Sequence, residues 1–139
     1  MPQTVNEVMT ADPRTVEPGD TVADAARQMR DADVGALVVV QEGRATGIVT
    51  DRDIVVRGIA DGRDPSGTRV GDVASTADVT LTPDQPATDA VQLMRDHDVR
   101  RIVVVQDGRP AGIVSIGDLA VALDDRSALA DISAASPNR

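Results

Sequence analysis

An internal repeat constrains the fold of this chain more than any other feature of its sequence. Residues 47–54 read Gly-Ile-Val-Thr-Asp-Arg-Asp-Ile, and residues 112–119 read Gly-Ile-Val-Ser-Ile-Gly-Asp-Leu, which is an offset of 65 positions. The same offset holds without a gap from the pair Val5/Val70 to the pair Asp53/Asp118. The chain is therefore predicted to consist of two copies of one structural unit.

Composition limits what fills the core and what binds to the surface. The 139 residues are 41% apolar and include no aromatic side chain, so a flat ligand would be held by aliphatic groups. The net charge of −9 argues against non-specific binding to nucleic acid or anionic membranes. The absence of cysteine excludes disulfides, thiolate catalysis and thiolate metal sites. All basic residues except His97 are arginines, which can bind phosphate or carboxylate bidentately.

The N-terminus and the apolar runs bear on cellular location. Residues 1–4 have neither a basic start nor a long apolar run, so a secretory signal is not expected. The longest apolar runs have the length of a strand, far below the roughly twenty residues of a membrane-spanning helix. We therefore expect a cytoplasmic protein.

The first repeat predicts a helix, two strands and a closing helix. Thr21 and Asp24 have the spacing of a capping box, which predicts a helix start. One apolar stripe at helical spacing follows, formed by Val22, Ala25, Ala26 and Met29. The run from Leu37 to Val40 is typical of a strand covered on both faces. Its continuation is predicted as the turn Glu42-Gly43, the strand Ile48-Val49 and a helix from about Asp51 to Ile59.

The second repeat predicts the same elements in the same order, including the helical stripe. That stripe consists of Ala87, Ala90, Val91 and Met94. We divide the chain into repeat one at residues 5–58, a linker at 59–69, repeat two at 70–123 and a tail at 124–139. The tail is expected to be partly disordered, with a turn of helix near residues 128–132.

The pattern resembles the cystathionine-β-synthase (CBS) domain, here as a tandem pair standing alone. The most specific marks are Gly47-Ile-Val-Thr50-x-x-Asp53 and Gly112-Ile-Val-Ser115-x-x-Asp118, each with its helix and valine-rich strand upstream. The resemblance covers nearly all of residues 5–123. It implies an α/β (α+β) fold of two pseudo-symmetric repeats, each a small sheet with two packed helices. It also implies two clefts between the repeats and association of two such modules into a flat disc.

By this resemblance the clefts bind adenosine-containing regulatory ligands, namely AMP, ADP, ATP or S-adenosylmethionine, and no cofactor is required. A carboxylate offers two acceptors that match the two donors of a ribose diol, so Asp53 and Asp118 are candidates to bind the ribose. Thr50 and Ser115 open a helix N-terminus, where phosphate is favoured. The resemblance places the adenine edge near Thr15, Val16, Val34, Ala36, Thr80, Leu81, Val99, Arg100 and Arg101. Arg100 and Arg101 match a basic position that meets phosphate in AMP-sensing members.

The candidate ligand residues also have structural interpretations. Both Thr50/Asp53 and Ser115/Asp118 have capping spacing, and a carboxylate at a helix start stabilises by roughly 0.3–1 kcal/mol without a ligand. Arg100 and Arg101 would then pair with the neighbouring acids Asp96 and Asp98. Repeat one has Gly35-Ala36 at the positions of these arginines, yet each cleft can draw charge from the other repeat. The sequence leaves open which cleft binds phosphate better.

No catalytic or metal site is predicted. His97 is expected near a helix C-terminus and has no serine, cysteine or second histidine at a useful spacing. The Asp-x-Asp pairs at 31/33, 51/53 and 96/98 lack the further ligands of a calcium loop, which favours solvated acids. Asp51 is expected to point outward, and Arg52 is predicted either to reach phosphate or to be solvated.

The closing helices are apolar on more than one face, which leaves two interpretations open. Either they form the interface of a two-fold homodimer, or they pack against the opposite repeat. The predicted function is a ligand-sensing module that binds an adenine nucleotide in the inter-repeat cleft and signals to a partner protein. The alternative is a ligand-free homodimeric interaction or scaffold protein. An enzyme is not expected, because no nucleophile–base pair, metal set or Walker-type phosphate loop is present.

Overall fold

Short strands and helices alternate through the chain, and the computed structural model describes residues 3–123. The elements in chain order are α1 (Val5–Val8), β1 (Thr10–Ala11), β2 (Thr15–Val16), α2 (Val22–Ala32), β3 (Ala36–Gln41), β4 (Arg44–Thr50), α3 (Asp51–Asp53) continued by a π-helix (Ile54–Ile59), a 3₁₀-helix (Val70–Asp72), β5 (Ser75–Thr76), β6 (Thr80–Leu81), α4 (Ala87–His97), β7 (Arg101–Gln106), β8 (Arg109–Ser115) and α5 (Ile116–Leu123). The predicted helix–strand–strand–helix order is thus confirmed in both repeats. The predicted tail, with its helical turn, lies outside the described residues.

The chain packs into two compact units. The first-repeat unit consists of Arg14–Asp78, and the second-repeat unit combines the residues up to Pro13 with those from Val79 onward. Each unit therefore contains most of one sequence repeat together with the opening segment of the other repeat. The opening segments are residues 5–13 of repeat one and 70–78 of repeat two. The sequence repeat and the packing unit are two different divisions of the same chain.

Each unit contains a four-stranded mixed sheet of the same topology. The strand order is β2-β3-β4-β5 in the first-repeat unit and β6-β7-β8-β1 in the second-repeat unit. In each sheet the first pair is parallel and the other two pairs are antiparallel. The predicted turns Glu42-Gly43 and Asp107-Gly108 join the long strands, with positive φ at both residues as a type I′ hairpin turn requires.

Equivalent backbone hydrogen bonds hold the opening segments in the two units. Val5 N–H donates to the Gln85 carbonyl at 2.8 Å in the second-repeat unit, and Val70 N–H donates to the Asp20 carbonyl at 2.8 Å in the first-repeat unit. Both valine side chains are fully buried. The strands β1 and β5 that follow then pair with β8 and β4 as edge strands.

Gly47 and Gly112, the first residues of the two sequence motifs, permit these edge strands to approach. A Cβ atom at Gly47 would lie 2.6 Å from the Ser75 carbonyl oxygen, and one at Gly112 would lie 2.8 Å from the Thr10 carbonyl oxygen. A Cβ at Gly112 would also lie 2.5 Å from Met9 Sδ, but the two carbonyl oxygens are backbone atoms and cannot move aside without separating the strands. Strand pairing alone therefore explains why each motif begins with glycine.

Aliphatic side chains fill the core of each unit. The predicted helical stripes are buried at Val22, Ala25 and Met29 in α2 and at Ala87, Ala90 and Met94 in α4. Ala26 is exposed, so the stripe predicted for α2 was too wide, whereas Val91 is partly buried and packs against the core of its unit, as predicted for α4. A helix that packs on one small sheet buries a narrow line of side chains. The consecutive burial of Leu37, Val38 and Val39 confirms a strand that is covered on both faces.

The closing helices differ from the prediction in their winding and their exposure. After one α-helical turn the first continues as a π-helix, with Ala60 N–H donating to the Val55 carbonyl at 2.8 Å, whereas α5 is α-helical throughout. Large apolar side chains on both helices are exposed, namely Val55, Val56, Ile59, Ile116 and Leu123. Within residues 3–123 these five side chains are exposed, and both interpretations of the closing helices stay predictions. No helix within residues 3–123 combines the length and the hydropathy needed to cross a membrane.

Candidate functional site

The candidate ligand residues form two groups, each within one compact unit. The first-repeat unit contains Thr15, Val16, Val34, Ala36, Thr50 and Asp53, and the second-repeat unit contains Thr80, Leu81, Val99, Arg100, Arg101, Ser115 and Asp118. Each group includes a hydroxyl residue and an acid where a long strand ends and a helix begins. We name the β4–α3 connection the first junction and the β8–α5 connection the second junction.

A reciprocal capping box forms at each junction. Asp53 N–H donates to Thr50 Oγ1 at 3.1 Å, and Thr50 N–H donates to Asp53 Oδ2 at 3.0 Å. The matching distances between Ser115 and Asp118 are 3.0 and 2.9 Å. The capping interpretation is therefore confirmed for both pairs. A carboxylate has about four acceptor positions, so the cap leaves most of them available to a ligand.

Backbone hydrogen bonds hold β3 beside the first junction and β7 beside the second junction. Ala36 pairs with Thr50 across β3 and β4, and Arg101 pairs with Ser115 across β7 and β8. One residue earlier, the Gly35 carbonyl accepts the Asp51 N–H at 3.0 Å and the Arg100 carbonyl accepts the Ile116 N–H at 2.9 Å. The backbone of Arg100 and Arg101 is thus fixed beside the start of α5.

Arg57 lies beside the carboxylate of the first junction. Its Nη1 is 4.0 Å from Asp53 Oδ1, and Asp53 is only 8% exposed. The same Nη1 donates to the Val73 carbonyl and to Ser75 Oγ, both at 3.2 Å. Arg57 was not among the predicted site residues. Its place four residues after Asp53 on a helix was the sequence signal for this pair.

Gln28 of α2 contacts β2, which pairs with β3 in the first-repeat unit. Its Nε2 donates to the Thr15 carbonyl at 3.1 Å, so a backbone acceptor at one of the predicted adenine positions already has a partner. The two residues are 13 positions apart. Local patterns extend over three or four residues on a helix, so this contact was not predictable from the sequence.

The second junction has neither of these contacts. At the positions of Gln28 and Arg57 the second repeat has Leu93 and Ala122, which pack against the apolar core of their unit. The ion pairs found within residues 3–123 are Arg27–Asp24, Arg30–Asp31 and Arg57–Asp53. The suggested pairing of Arg100 and Arg101 with Asp96 and Asp98 is therefore not formed in this part of the chain.

The remaining polar candidates lie at the surface. Asp51 and Arg52 are exposed, as expected for Asp51, and the Asp51 carboxylate accepts the Arg52 backbone N–H at 2.9 Å. His97 is exposed at the last residue of α4, which confirms its predicted place near a helix C-terminus. Residues 3–123 contain no group of three or more histidine, aspartate or glutamate side chains that is arranged to hold a metal ion.

Comparison with known proteins identifies the repeat. The CBS domain family model matches residues 5–58 and 70–125. The CBS domain-containing protein YhcV of Bacillus subtilis is 44% identical over 117 residues, which cover 84% of this chain and 83% of YhcV. Hypoxic response protein 1 of Mycobacterium tuberculosis is 34% identical over 118 residues, 84% of this chain and 82% of that protein.

Solved structures share the fold. The crystal structure of hypoxic response protein 1 with two coordinated zinc ions has a TM-score of 0.76 and covers 85% of this chain and 97% of its own. A hexameric CBS-CP12 protein from bloom-forming cyanobacteria has a TM-score of 0.79 at 29% identity, covering 91% and 74% of the two chains. The CBS pair of MJ0100, in complex with 5′-methylthioadenosine and S-adenosylmethionine, has a TM-score of 0.81 at 21% identity and covers 91% and 100%.

Proposed function

This chain belongs to the CBS domain family, and from that premise we propose that it is a regulatory module that binds an adenosine-containing ligand and signals to a partner protein. The ligand class is AMP, ADP, ATP or S-adenosylmethionine. The binding of 5′-methylthioadenosine and S-adenosylmethionine by the MJ0100 pair supports this class. Such a ligand regulates through its different affinity for two states of the protein.

One observation carries the proposal: each repeat holds a carboxylate in a fixed orientation at a strand-to-helix junction. The cap binds Oδ2 of Asp53 and Oδ2 of Asp118 through a single backbone N–H each. The carboxylate is thereby oriented without using all of its acceptors. A ribose diol would donate to the remaining acceptors, and a phosphate would be neutralised by the arginines at the second junction.

The first experiment is a near-ultraviolet absorbance spectrum of the gently purified protein. The chain has no Trp, Tyr, Phe or Cys, so an adenine that co-purifies stands out near 260 nm. We expect a peak that passes into the filtrate after denaturation and that mass spectrometry identifies. Titration with AMP, ADP, ATP and S-adenosylmethionine then ranks the ligands.

The ribose contact is tested by Asp53→Asn combined with Asp118→Asn. Asparagine retains one oxygen that can accept the capping N–H but loses the charge and the second oxygen acceptor. We expect ligand affinity to fall at least about tenfold, which corresponds to about 1.4 kcal/mol. Asp51→Asn is the matched control, because Asp51 is an exposed neighbour whose side chain lies outside the capping box. Unchanged affinity in the double variant would exclude the ribose contact.

A ligand-free scaffold remains the second candidate function. The inequality of the two junctions favours it, since the first junction lacks arginines at positions 35 and 36. Failure of all four ligands to bind to a protein that keeps its fold and assembly would support the scaffold. Nucleotide hydrolysis that is lost in Asp53→Ala would instead contradict the proposal of a non-catalytic module.

We also propose that the exposed apolar side chains of the closing helices form the interface of a cytoplasmic homodimer. Val55, Ile59 and Ile116 are between 54% and 58% exposed in the single chain. Such a surface favours association. Light scattering should give the mass of a dimer, and Val55→Ser with Ile59→Ser should shift it toward the monomer. A hexamer, as in the CBS-CP12 protein, would contradict the proposed dimer. Cell fractionation tests the cytoplasmic location.

A further inference from the structure

We infer that Gln28 and Arg57 are specificity-determining residues that occupy the first junction from within the chain, so that an adenine nucleotide binds preferentially at the second junction. This inference rests on the proposed function and adds to it a ranking of the two sites. Both residues belong to the first-repeat unit, and neither has a counterpart in the second repeat. Three independent differences between the junctions lead to the same ranking.

The first difference concerns the acceptor for the adenine amino group. In the first junction the Thr15 carbonyl already accepts a hydrogen bond from Gln28 Nε2 at 3.1 Å. At the equivalent position Leu93 is apolar and packs into the core, so it provides no donor to the Thr80 carbonyl. Gln28 thus uses one of the two acceptor positions of the first carbonyl, whereas its counterpart Leu93 uses none at the second.

The second difference concerns the carboxylate. In the first junction Oδ2 of Asp53 accepts the capping N–H, and Oδ1 faces Arg57 Nη1 at 4.0 Å. In the second junction Oδ2 of Asp118 accepts the capping N–H, and Ala122 stands where Arg57 would be. Asp118 is therefore the less neutralised carboxylate and the better acceptor for two hydroxyl donors.

The third difference concerns the phosphate. The second junction has Arg100 and Arg101, and neither forms an ion pair within residues 3–123. The first junction has Gly35 and Ala36 in their place. Of its cations, Arg57 uses Nη1 to bind the Val73 carbonyl and Ser75 Oγ, and the exposed Arg52 of α3 forms no ion pair within residues 3–123. The second junction therefore offers a phosphate two arginines that form no ion pair, whereas the first junction offers one such arginine, Arg52, beside Arg57, which already binds two acceptors.

The opposite ranking, in which the nucleotide prefers the first junction, also has a physical basis. The experiment distinguishes between the two rankings. Arg57 retains further N–H donors, and a cation near Asp53 would attract a phosphate. If Arg57 binds the nucleotide, its removal weakens AMP binding. If Arg57 occludes the site, its removal creates binding. The sign of the effect separates the two roles.

The experiment is equilibrium dialysis against AMP, with the bound nucleotide read at 260 nm. The wild-type protein is expected to bind one AMP per chain. The variant Gln28→Leu with Arg57→Ala, which introduces the residues of the second repeat, is expected to approach two. Circular dichroism checks that the variant is folded. Two equal AMP sites in the wild type, or a stoichiometry that falls in the variant, would overturn the inference.

A second comparison does not depend on the double variant. In the wild-type background, Asp118→Asn is expected to weaken AMP binding at least tenfold, and Asp53→Asn is expected to weaken it less. Adenosine in place of AMP should reduce the preference for the second junction, because the arginines then have no phosphate to bind. Equal losses in the two variants would overturn the ranking while leaving the proposed function intact. Failure of the wild type to bind AMP would overturn the ranking, and failure to bind ADP, ATP and S-adenosylmethionine as well would refute the proposed function.

Discussion

The two junctions have equivalent backbone hydrogen bonds and different side chains around their carboxylates. The capping distances at Thr50/Asp53 and Ser115/Asp118 agree within 0.1 Å. Among residues 3–123, Asp53 forms an ion pair with Arg57 at 4.0 Å, and no ion pair is found for Asp118. The comparison teaches that the motif specifies the start of a helix, whereas residues outside the motif specify how available the carboxylate is to a ligand.

The helices that follow the two caps also differ from each other, although the caps themselves are equivalent. The first winds as a π-helix from Ile54 to Ile59, and α5 is a regular α-helix. The first contains consecutive β-branched residues and Gly58, which are weak helix formers, whereas α5 is rich in leucine and alanine. Identical caps therefore do not impose identical winding.

The largest expected effect on stability comes from alanine substitutions at the two glycines that begin the motifs. Gly47→Ala and Gly112→Ala should each lower the free energy of unfolding by roughly 1–3 kcal/mol, because the new Cβ overlaps a backbone carbonyl. The two costs should be similar, since the Cβ would lie 2.6 Å from the Ser75 oxygen at Gly47, and 2.8 Å from the Thr10 oxygen and 2.5 Å from Met9 Sδ at Gly112. Urea unfolding of the two variants measures both costs.

Gly58→Ala is the matched control for these glycine substitutions. Its added Cβ would meet nothing closer than Val73 Cγ1 at 4.0 Å, and alanine is the better helix former. We expect stabilisation of roughly 0.5–1 kcal/mol. Destabilisation by Gly58→Ala as large as that by Gly47→Ala would contradict the steric explanation.

Removal of the capping hydroxyl should have an intermediate and equal effect at the two junctions. Thr50→Val and Ser115→Ala each delete one side-chain acceptor, and each should cost about 1 kcal/mol of stability. Chemical denaturation of both variants provides the measurement. A cost confined to one junction would show that the two caps are not energetically equivalent.

The smallest expected effect measures the contact that distinguishes the junctions. A double-mutant cycle with Asp53→Asn and Arg57→Ala should give a coupling free energy of a few tenths of a kcal/mol, well below 1, because half of the Arg57 side chain is exposed. Increasing the salt concentration should reduce this coupling further. A coupling above about 2 kcal/mol, or one insensitive to salt, would indicate a buried contact and contradict the geometry.

Short-range features of the fold were predictable from the sequence. The cap at Thr21, the hairpin turn Glu42-Gly43 and the buried run at Leu37 depend on neighbouring residues, and the structure contains all three. The contact of Gln28 with Thr15 was not predictable, because it joins residues 13 positions apart through the packing of a helix on a strand. The π-helical winding after Asp53 was missed as well, since periodicity does not distinguish it from an α-helix in a short apolar run.

By itself the sequence determined the twofold repeat, the order of elements, the aliphatic core and the two capped acids. These properties follow from the spacing of residues along the chain. Only the tertiary structure decided that the opening segment of each repeat completes the sheet of the other, which explains Gly47 and Gly112. It also decided that Arg57 lies beside Asp53 while bound to Val73 and Ser75. The physical reason is that edge pairing and side-chain hydrogen bonds depend on which segments pack together, and distant segments meet only in the folded chain.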